Sequence, residues 1–160
     1  MTDTVARLLK QTTAFASVEQ EVLLGLRMAA SRVVEPWTQF LKSAANLSGP
    51  QYNVLRILRG SHPNRLTSTE VGERMIARDP DVTRLVDRLV ARGLVVRVRS
   101  REDRRVVELG VTDKGLAALK ALDMHVAKMP KALLGHLGPK RLRQLADLLD
   151  AAIEGMGTYP

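Results

Sequence analysis

Arginine side chains are concentrated in one stretch of the sequence, and their chemistry is that of phosphate and base recognition. From position 84 to position 105 there are eight arginines, no lysine and three acidic residues, so these 22 residues carry a net +5 of the chain's +8. A guanidinium donates paired hydrogen bonds to phosphate or guanine and fits a narrow minor groove, which a lysine ammonium does less well. The stretch therefore predicts contact with a nucleic acid.

The residues around these arginines predict a helix that positions them. Asp79 is suited to cap the helix, Pro80 to begin it and Gly93 to end it. Apolar residues at three- and four-residue spacing form a stripe for burial, namely Val82, Leu85, Val86 and Leu89. The opposite face is polar, as a helix in the major groove requires, and it carries Asp81, Thr83, Arg84, Asp87 and Arg88.

Alternating residues after Gly93 predict two strands joined by a charged tip. The first strand places Leu94, Val96 and Val98 on one face and Val95, Arg97 and Arg99 on the other. The return strand places Val107, Leu109 and Val111 on one face. The six residues 100–105 between them contain no apolar side chain, so we expect this tip to project into water or onto a polyanion. A solvated surface without function is the alternative, but a charge run on this helix–strand–tip–strand layout, behind a second short helix, favours DNA binding.

On these residues the chain resembles the MarR family of winged helix-turn-helix regulators. The resemblance is carried by residues 82–89, Arg92-Gly93-Leu94-Val95, the tip Asp103-Arg104-Arg105, Val111-Thr112 with Gly115, and the upstream residues 47–52. It extends from about Val22 to Ile153. The sequence departs from the family at residues 78–81, where many members have Ser or Thr. An acid at position 81 that faces DNA would repel phosphate or select a base donor such as cytosine N4.

The resemblance implies a mainly α fold with a small antiparallel β-wing (α+β). We expect N-terminal dimerisation helices in residues 1–46, a winged helix-turn-helix domain in residues 47–112 and C-terminal dimerisation helices in residues 113–160. The family forms triangular homodimers, so the same arrangement is expected here.

Helix signals in the flanking segments agree with this layout. Ser48 with Gln51, and Thr67 with Glu70, have the spacing of capping boxes. Leu66 is expected to form a short strand that pairs with the wing. The helix that begins at Thr67 is expected to end near Ile76. Side-chain hydroxyls and backbone amides at the start of that helix could bind a DNA phosphate. The alternative is that the hydroxyls only cap the helix. They belong to Thr67, Ser68 and Thr69.

The outer helices are expected to form the dimer interface. A long helix from about Val18 to Ala45 contains Pro36, which predicts a kink or, alternatively, a break. Thr112 should cap a helix interrupted by Pro130, and Gly138 should start the last helix. That helix carries an apolar stripe too wide for covering one small core: Leu142, Leu145, Leu148, Leu149, Ala152 and Ile153. The alternative is a helical cap on a monomer.

We therefore predict a homodimeric, sequence-specific transcription regulator, most simply a repressor, on a pseudo-palindromic operator in double-stranded DNA. The predicted DNA-contacting residues are Thr67, Ser68, Thr69, Arg78, Asp81, Thr83, Arg84, Asp87, Arg88, Arg99, Arg101, Asp103, Arg104 and Arg105. Arg104 and Arg105 should reach the flanking minor groove, and Asp103 should orient a wing arginine. A non-specific or architectural DNA-binding protein and a winged helix used for protein contacts are the alternatives.

A small effector is also expected from the resemblance, which implies a pocket between the dimer helices and the DNA-binding lobe for phenolic or aromatic-carboxylate ligands. The residues predicted to line it are Trp37, Leu41, Tyr52 and Arg56. Core packing is the alternative for the aromatic side chains.

Other classes of protein are disfavoured by composition. The chain has no cysteine, so disulfides, thiolate metal sites and the thiol redox sensing of some MarR proteins are excluded. The three histidines are scattered and no glycine-rich phosphate loop or nucleophile motif occurs, so we expect no enzyme activity, catalytic residue, metal or cofactor. No apolar run approaches the roughly 20 residues of a membrane span and the first residues lack a signal-peptide layout, so a cytoplasmic protein is expected.

Overall fold

The structure, a computed structural model, is mainly helical with one small antiparallel sheet, as predicted, and it describes residues 3–77, 81–100 and 103–156. Two compact units are present, residues 1–116 and 117–160. The first unit contains, in chain order, α1 (Asp3–Leu8), α2 (Val18–Ala45), α3 (Gly49–Ser61), β1 (Leu66–Thr67), α4 (Ser68–Glu73), α5 (Val82–Ala91), β2 (Val95–Arg99) and β3 (Val107–Val111). It also includes the start of α6 (Asp113–Leu134). A 3-10 turn (Gly135–Leu137) and α7 (Gly138–Gly155) follow in the second unit. The predicted division into residues 1–46, 47–112 and 113–160 stays a prediction.

The sheet has the order β1-β3-β2, and all of its neighbours are antiparallel. Leu66 pairs with Leu109, which confirms the short strand predicted at Leu66. Val95 pairs with Val111 and Arg99 with Val107, so the β2–β3 hairpin closes at the charged tip. Leu94 is buried just before β2 and is not part of it.

Leucine and valine side chains form the core of the first unit. The fully buried ones come from α2 to α5 and the sheet: Leu41, Leu47, Val54, Leu55, Leu58, Val71, Val86, Leu89 and Leu109. Aromatic residues make up only 3% of the chain, and Tyr52, which is 7% exposed, is the one buried aromatic side chain among the described residues. Packing of aliphatic side chains therefore holds the helices and the sheet of the first unit together.

Both predicted capping boxes are present. In each, the N-cap hydroxyl accepts a hydrogen bond from a backbone N–H three residues on, and the Gln51 or Glu70 side chain accepts one from the N-cap backbone N–H. Thr112 also acts as predicted, because its hydroxyl accepts from the N–H of Gly115 at 3.1 Å. The prediction that the helix opened by Thr67 reaches Ile76 is wrong, since α4 ends at Glu73.

Neither interior proline ends its helix. Pro36 lies inside an unbroken α2, so the alternative of two separate helices is wrong. Pro130 lies inside α6, which continues to Leu134, so the predicted interruption there is wrong as well. Both prolines are exposed. Water can therefore solvate the carbonyl that loses its N–H partner, which lowers the cost of keeping the helix continuous.

In the second unit, α7 contains no buried residue. Its apolar stripe is half-buried at Leu142, Leu145 and Ala152 and exposed at Leu149, at Leu148 (70%) and at Ile153 (67%). Within the described residues, none of the helices is long and apolar enough to cross a bilayer.

Candidate nucleic-acid interface

Helix α5 has one buried face and one polar face, as the spacing of its residues predicted. Leu85, Val86 and Leu89 are buried and Val82 is half-buried. The opposite side exposes Thr83, Arg84, Asp87 and Arg88 to solvent. Because the apolar face is fixed in the core, the polar face is presented in one orientation.

The start of α5 differs from the prediction. Asp81, not Asp79, is the N-cap, and the helix begins at Val82. One Asp81 oxygen accepts from the backbone N–H of Arg84 at 3.1 Å, and the other lies 3.0 Å from its Nε. Asp79 and Pro80 lie outside the described residues, as does the predicted contact residue Arg78. The Asp81 carboxylate, which on its own would repel phosphate, is thus placed against a guanidinium that is 78% exposed.

Asp87 on the polar face is paired with an arginine from the sheet. Arg97 Nη1 of β2 donates to Asp87 Oδ1 at 2.5 Å. The two side chains are 35% and 51% exposed, so solvent screens the pair and its effect on stability is small. Its main consequence is geometric, because it holds one carboxylate of the polar face in place. Arg97 was not among the predicted site residues, although its position between Val95 and Arg99 on one face of β2 was a usable signal.

The wing tip is organised by its own backbone and by Asp103. The N–H of Ser100 donates to the carbonyl of Val106 at 2.9 Å, and Asp103 Oδ1 accepts from the N–H of Arg105 at 2.8 Å. Asp103 therefore orients the backbone of a wing arginine. Ser100 is buried, unlike the rest of the described tip. Arg99, Arg104 and Arg105 are exposed, and Arg101 lies outside the described residues.

The start of α4 contains the third group of predicted contacts. The Thr67 hydroxyl accepts from the N–H of Glu70 at 3.2 Å and donates to Glu70 Oε2 at 2.9 Å, so it is engaged in capping. The backbone N–H and then the hydroxyl of Thr67, both donating to the carboxylate, lower the pKa of Glu70. Ser68 is half-buried, and Thr69 is the exposed hydroxyl of the three.

A cavity of about 370 Å³ lies within the first unit, beside the start of α3. Its lining comes from α2, α3 and the segment after α4: Val34, Trp37, Thr38, Ser48, Gly49, Pro50, Asn53, Met75, Ile76 and Ala77. Of the four residues predicted to line a pocket, Trp37 does so. Leu41 and Tyr52 are buried elsewhere in the core, and Arg56 is exposed and donates to Asn53 Oδ1 at 3.1 Å.

The lining of the cavity carries no charged side chain. Its one aromatic side chain, Trp37, packs against two other aromatic rings. The Trp37 ring meets Tyr52 edge to face at 5.1 Å and stacks with Phe40 at 5.7 Å. Sequence reasoning missed the remaining lining residues because they come from three separated segments, and only the fold brings them together. Within the described ranges no group of three or more His, Asp or Glu side chains is placed to hold a metal ion.

Comparison with known proteins gives a consistent result. A model of the MarR family matches residues 45–106. The chain is similar to the organic hydroperoxide resistance transcriptional regulator of Bacillus subtilis, with 31% identity over 132 residues, which cover 81% of this chain and 85% of that protein. The crystal structure of a MarR transcription factor from Planctomyces limnophilus has 40% identity and a TM-score of 0.63, covering 86% and 99% of the two chains. The PcaV transcriptional regulator from Streptomyces coelicolor, solved with its natural ligand, has 26% identity and a TM-score of 0.70 over 89% and 99%.

Proposed function

The chain belongs to the MarR family, and on that premise we propose that it is a homodimeric, sequence-specific DNA-binding regulator of transcription, acting as a repressor. The observation that carries the proposal is the exposed polar face of α5 beside a wing tip of exposed arginines. The chain's net charge of +8 supports a polyanionic partner.

The proposed mode of binding follows from a two-fold pair of such surfaces. Each α5 enters a major groove, and the two grooves lie about 34 Å apart on a pseudo-palindromic operator. Thr83, Arg84, Asp87 and Arg88 contact base edges and nearby phosphates. Arg104 and Arg105 at the wing tips enter the flanking minor groove, where the negative potential is strongest. Arg99 and the exposed Thr69 contact the phosphate backbone.

We propose that a second copy of the chain packs against the exposed apolar side chains and buries them in a dimer interface. Val18 is 72% exposed, Leu148 70% and Ile153 67%. Burying apolar area is worth roughly 25 cal/mol per Å², so covering these side chains with a second subunit would stabilise a dimer. An isologous interface would bury the same residues on both subunits and present the two α5 helices with two-fold symmetry.

The cavity lined by Trp37 is the proposed effector site. Its volume of about 370 Å³ lies in the range of small-molecule pockets, and an aromatic ligand could stack on Trp37. The similar PcaV protein was solved with its natural ligand, which supports a ligand for this chain as well. Such a ligand would release DNA by favouring a dimer shape in which the two α5 helices no longer match successive grooves. With no cysteine in the chain, thiol oxidation is not the signal.

In vitro selection from a random duplex library, followed by competition binding, tests the DNA-binding proposal. We expect an enriched pseudo-palindrome that the protein binds at least a thousandfold more tightly than a scrambled duplex at physiological salt. Sedimentation should give two chains per duplex. A library that yields no enriched sequence, with equal retention of the scrambled duplex, would point to the non-specific alternative. A monomer in the bound complex would contradict the dimer.

Trp37 also makes the effector proposal measurable. It is the only tryptophan in the sequence, so tryptophan fluorescence reports on the surroundings of this one lining residue. Titration with a panel of phenols and aromatic acids should find a compound that quenches Trp37 and weakens binding to the selected duplex over the same concentration range. If a compound quenches Trp37 but leaves DNA affinity unchanged, the cavity binds that compound without regulating DNA binding, and the effector proposal is contradicted.

A further inference from the structure

Arg92, at the C-terminal end of α5, joins this helix to α2. Its Nη1 donates to the carbonyl of Asn46 at 2.7 Å, and its Nη2 donates to the carbonyl of Ala45 at 2.8 Å. Both acceptors belong to the last turn and C-cap of α2, almost fifty positions earlier in the chain. One planar side chain thus connects the helix that presents the proposed DNA-reading face to the helix that forms one wall of the cavity.

The chemistry of the acceptors explains why an arginine is needed there. The last carbonyls of a helix have no intrahelical partner and carry the negative end of the helix dipole. Asn46 turns the chain away in the left-handed region, with a φ of 51°. A guanidinium presents five N–H donors in a rigid plane, so its two terminal nitrogens can satisfy both carbonyls at once, whereas an ammonium presents its donors from a single nitrogen.

Other contacts converge on the same end of α5. Lys114 Nζ donates to the carbonyl of Arg92 at 2.8 Å, and the Thr112 hydroxyl donates to the carbonyl of Gly93 at 2.8 Å. Gly93 has a φ of 69° and ends the helix as predicted. The C-terminal end of α5 is therefore a fixed point, tied to α2 by Arg92 and to the start of α6 by Thr112 and Lys114.

We propose that Arg92 is a positioning residue for DNA recognition, which sets the orientation of α5 relative to α2 without touching DNA. The inference rests on the proposed function, because it concerns how accurately a DNA-reading helix is held. Thr83 lies nine residues from Arg92, about 13 Å along the helix axis. A tilt of about 10° around the fixed end moves that part of the helix by roughly 2 Å, which is enough to break hydrogen bonds that require 2.7–3.2 Å.

This role differs from two others that an arginine in this stretch could have. A direct phosphate contact would release counterions, so its removal would make the salt dependence of binding less steep by about one unit. A purely stabilising contact would change the folded fraction and would lower affinity for every duplex equally. A positioning residue changes the discrimination between duplexes and leaves the salt slope unchanged.

The test compares Arg92→Ala and Arg92→Lys with wild type on the duplex selected in vitro and on a scrambled duplex. The active fraction of each variant is first fixed by stoichiometric titration. Arg32→Ala is the matched control, since it removes one exposed arginine of α2 that is not among the proposed DNA contacts. We expect Arg92→Ala to reduce the ratio of selected to scrambled affinity about tenfold. This is near the lower end of the loss in discrimination that follows from removing one base contact. Arg92→Lys should be intermediate and Arg32→Ala unchanged.

Each result separates the possibilities. A wild-type ratio for Arg92→Ala, or a salt slope lowered by about one unit, would overturn the positioning role. Equal losses of affinity for both duplexes after the active-fraction correction would also overturn it. If the wild-type protein itself enriches no duplex, the proposed function fails, and that outcome is distinct from a failure of this inference alone.

Discussion

Replacing Gly115 with alanine provides a sharp test of how α6 is joined to the DNA-binding layout. A Cβ at position 115 would lie 2.3 Å from the carbonyl oxygen of Leu94 and 2.8 Å from Val111 Cγ2. The first of these atoms is backbone, so no side-chain rotation can relieve the contact. Because carbon and oxygen normally approach to about 3.3 Å, the start of α6 must move by about 1 Å.

The size of the effect follows from what that movement breaks. Thr112 N–H donates to the carbonyl of Leu94 at 3.1 Å, and the Thr112 hydroxyl donates to that of Gly93 at 2.8 Å. Two such hydrogen bonds contribute about 0.5–1.5 kcal/mol each, and overpacking costs about 1–3 kcal/mol. We therefore expect Gly115→Ala to lower the free energy of unfolding by roughly 2–6 kcal/mol, a large part of the 5–15 kcal/mol typical of a domain.

Urea denaturation followed by circular dichroism measures this change, and Gly60→Ala is its matched control. Gly60 is exposed, lies within α3 and has no heavy atom within 4 Å of the position that a Cβ would occupy. Alanine there should raise the free energy of unfolding by about 0.4–1 kcal/mol, because it restricts the unfolded chain. If both variants shift the midpoint equally, or if Gly115→Ala is as stable as wild type, the close approach of α6 to Leu94 is refuted.

Three further predictions concern the interface and its support. Arg84→Ala should cost about 1–3 kcal/mol of affinity for the selected duplex and relax sequence preference, as measured by gel shift; unchanged affinity for both selected and scrambled duplexes would remove Arg84 from the contacts. Arg105→Ala should make the slope of log affinity against log salt less steep by about one unit, and a wild-type slope would contradict its minor-groove contact. The lowered pKa of Glu70 means that its capping bonds stabilise the fold above the ordinary glutamate pKa of about 4.3, and that this contribution disappears as the pH falls through the lowered value. Melting temperatures of Glu70→Gln should therefore fall less than those of wild type between pH 7 and pH 3, and parallel curves would argue against the Glu70–Thr67 bonds.

Local patterns were reliable wherever a few adjacent residues determine the outcome. The two capping boxes, the glycine end of α5 and the three- and four-residue apolar stripe of α5 all appear in the structure. Each depends on hydrogen bonds or burial within a turn or two of helix. The predictions that were wrong, at Asp79, Ile76 and Pro130, concern helix boundaries, where competing caps and solvent exposure differ by little energy.

The class of the molecule could be predicted from the sequence, because hydrophobic spacing, capping residues and the arginine-rich stretch are properties of neighbours along the chain. Which arginines remain available at the proposed interface depends on how the elements of the fold pack together. Arg92 donates to carbonyls at the end of α2 and Arg97 donates to Asp87 of α5, and both partnerships join different elements of the fold. The cavity beside Trp37 was likewise decided by packing, since three segments distant in sequence contribute its walls. Side-chain partners across such distances depend on how elements pack, which spacing along the chain does not encode.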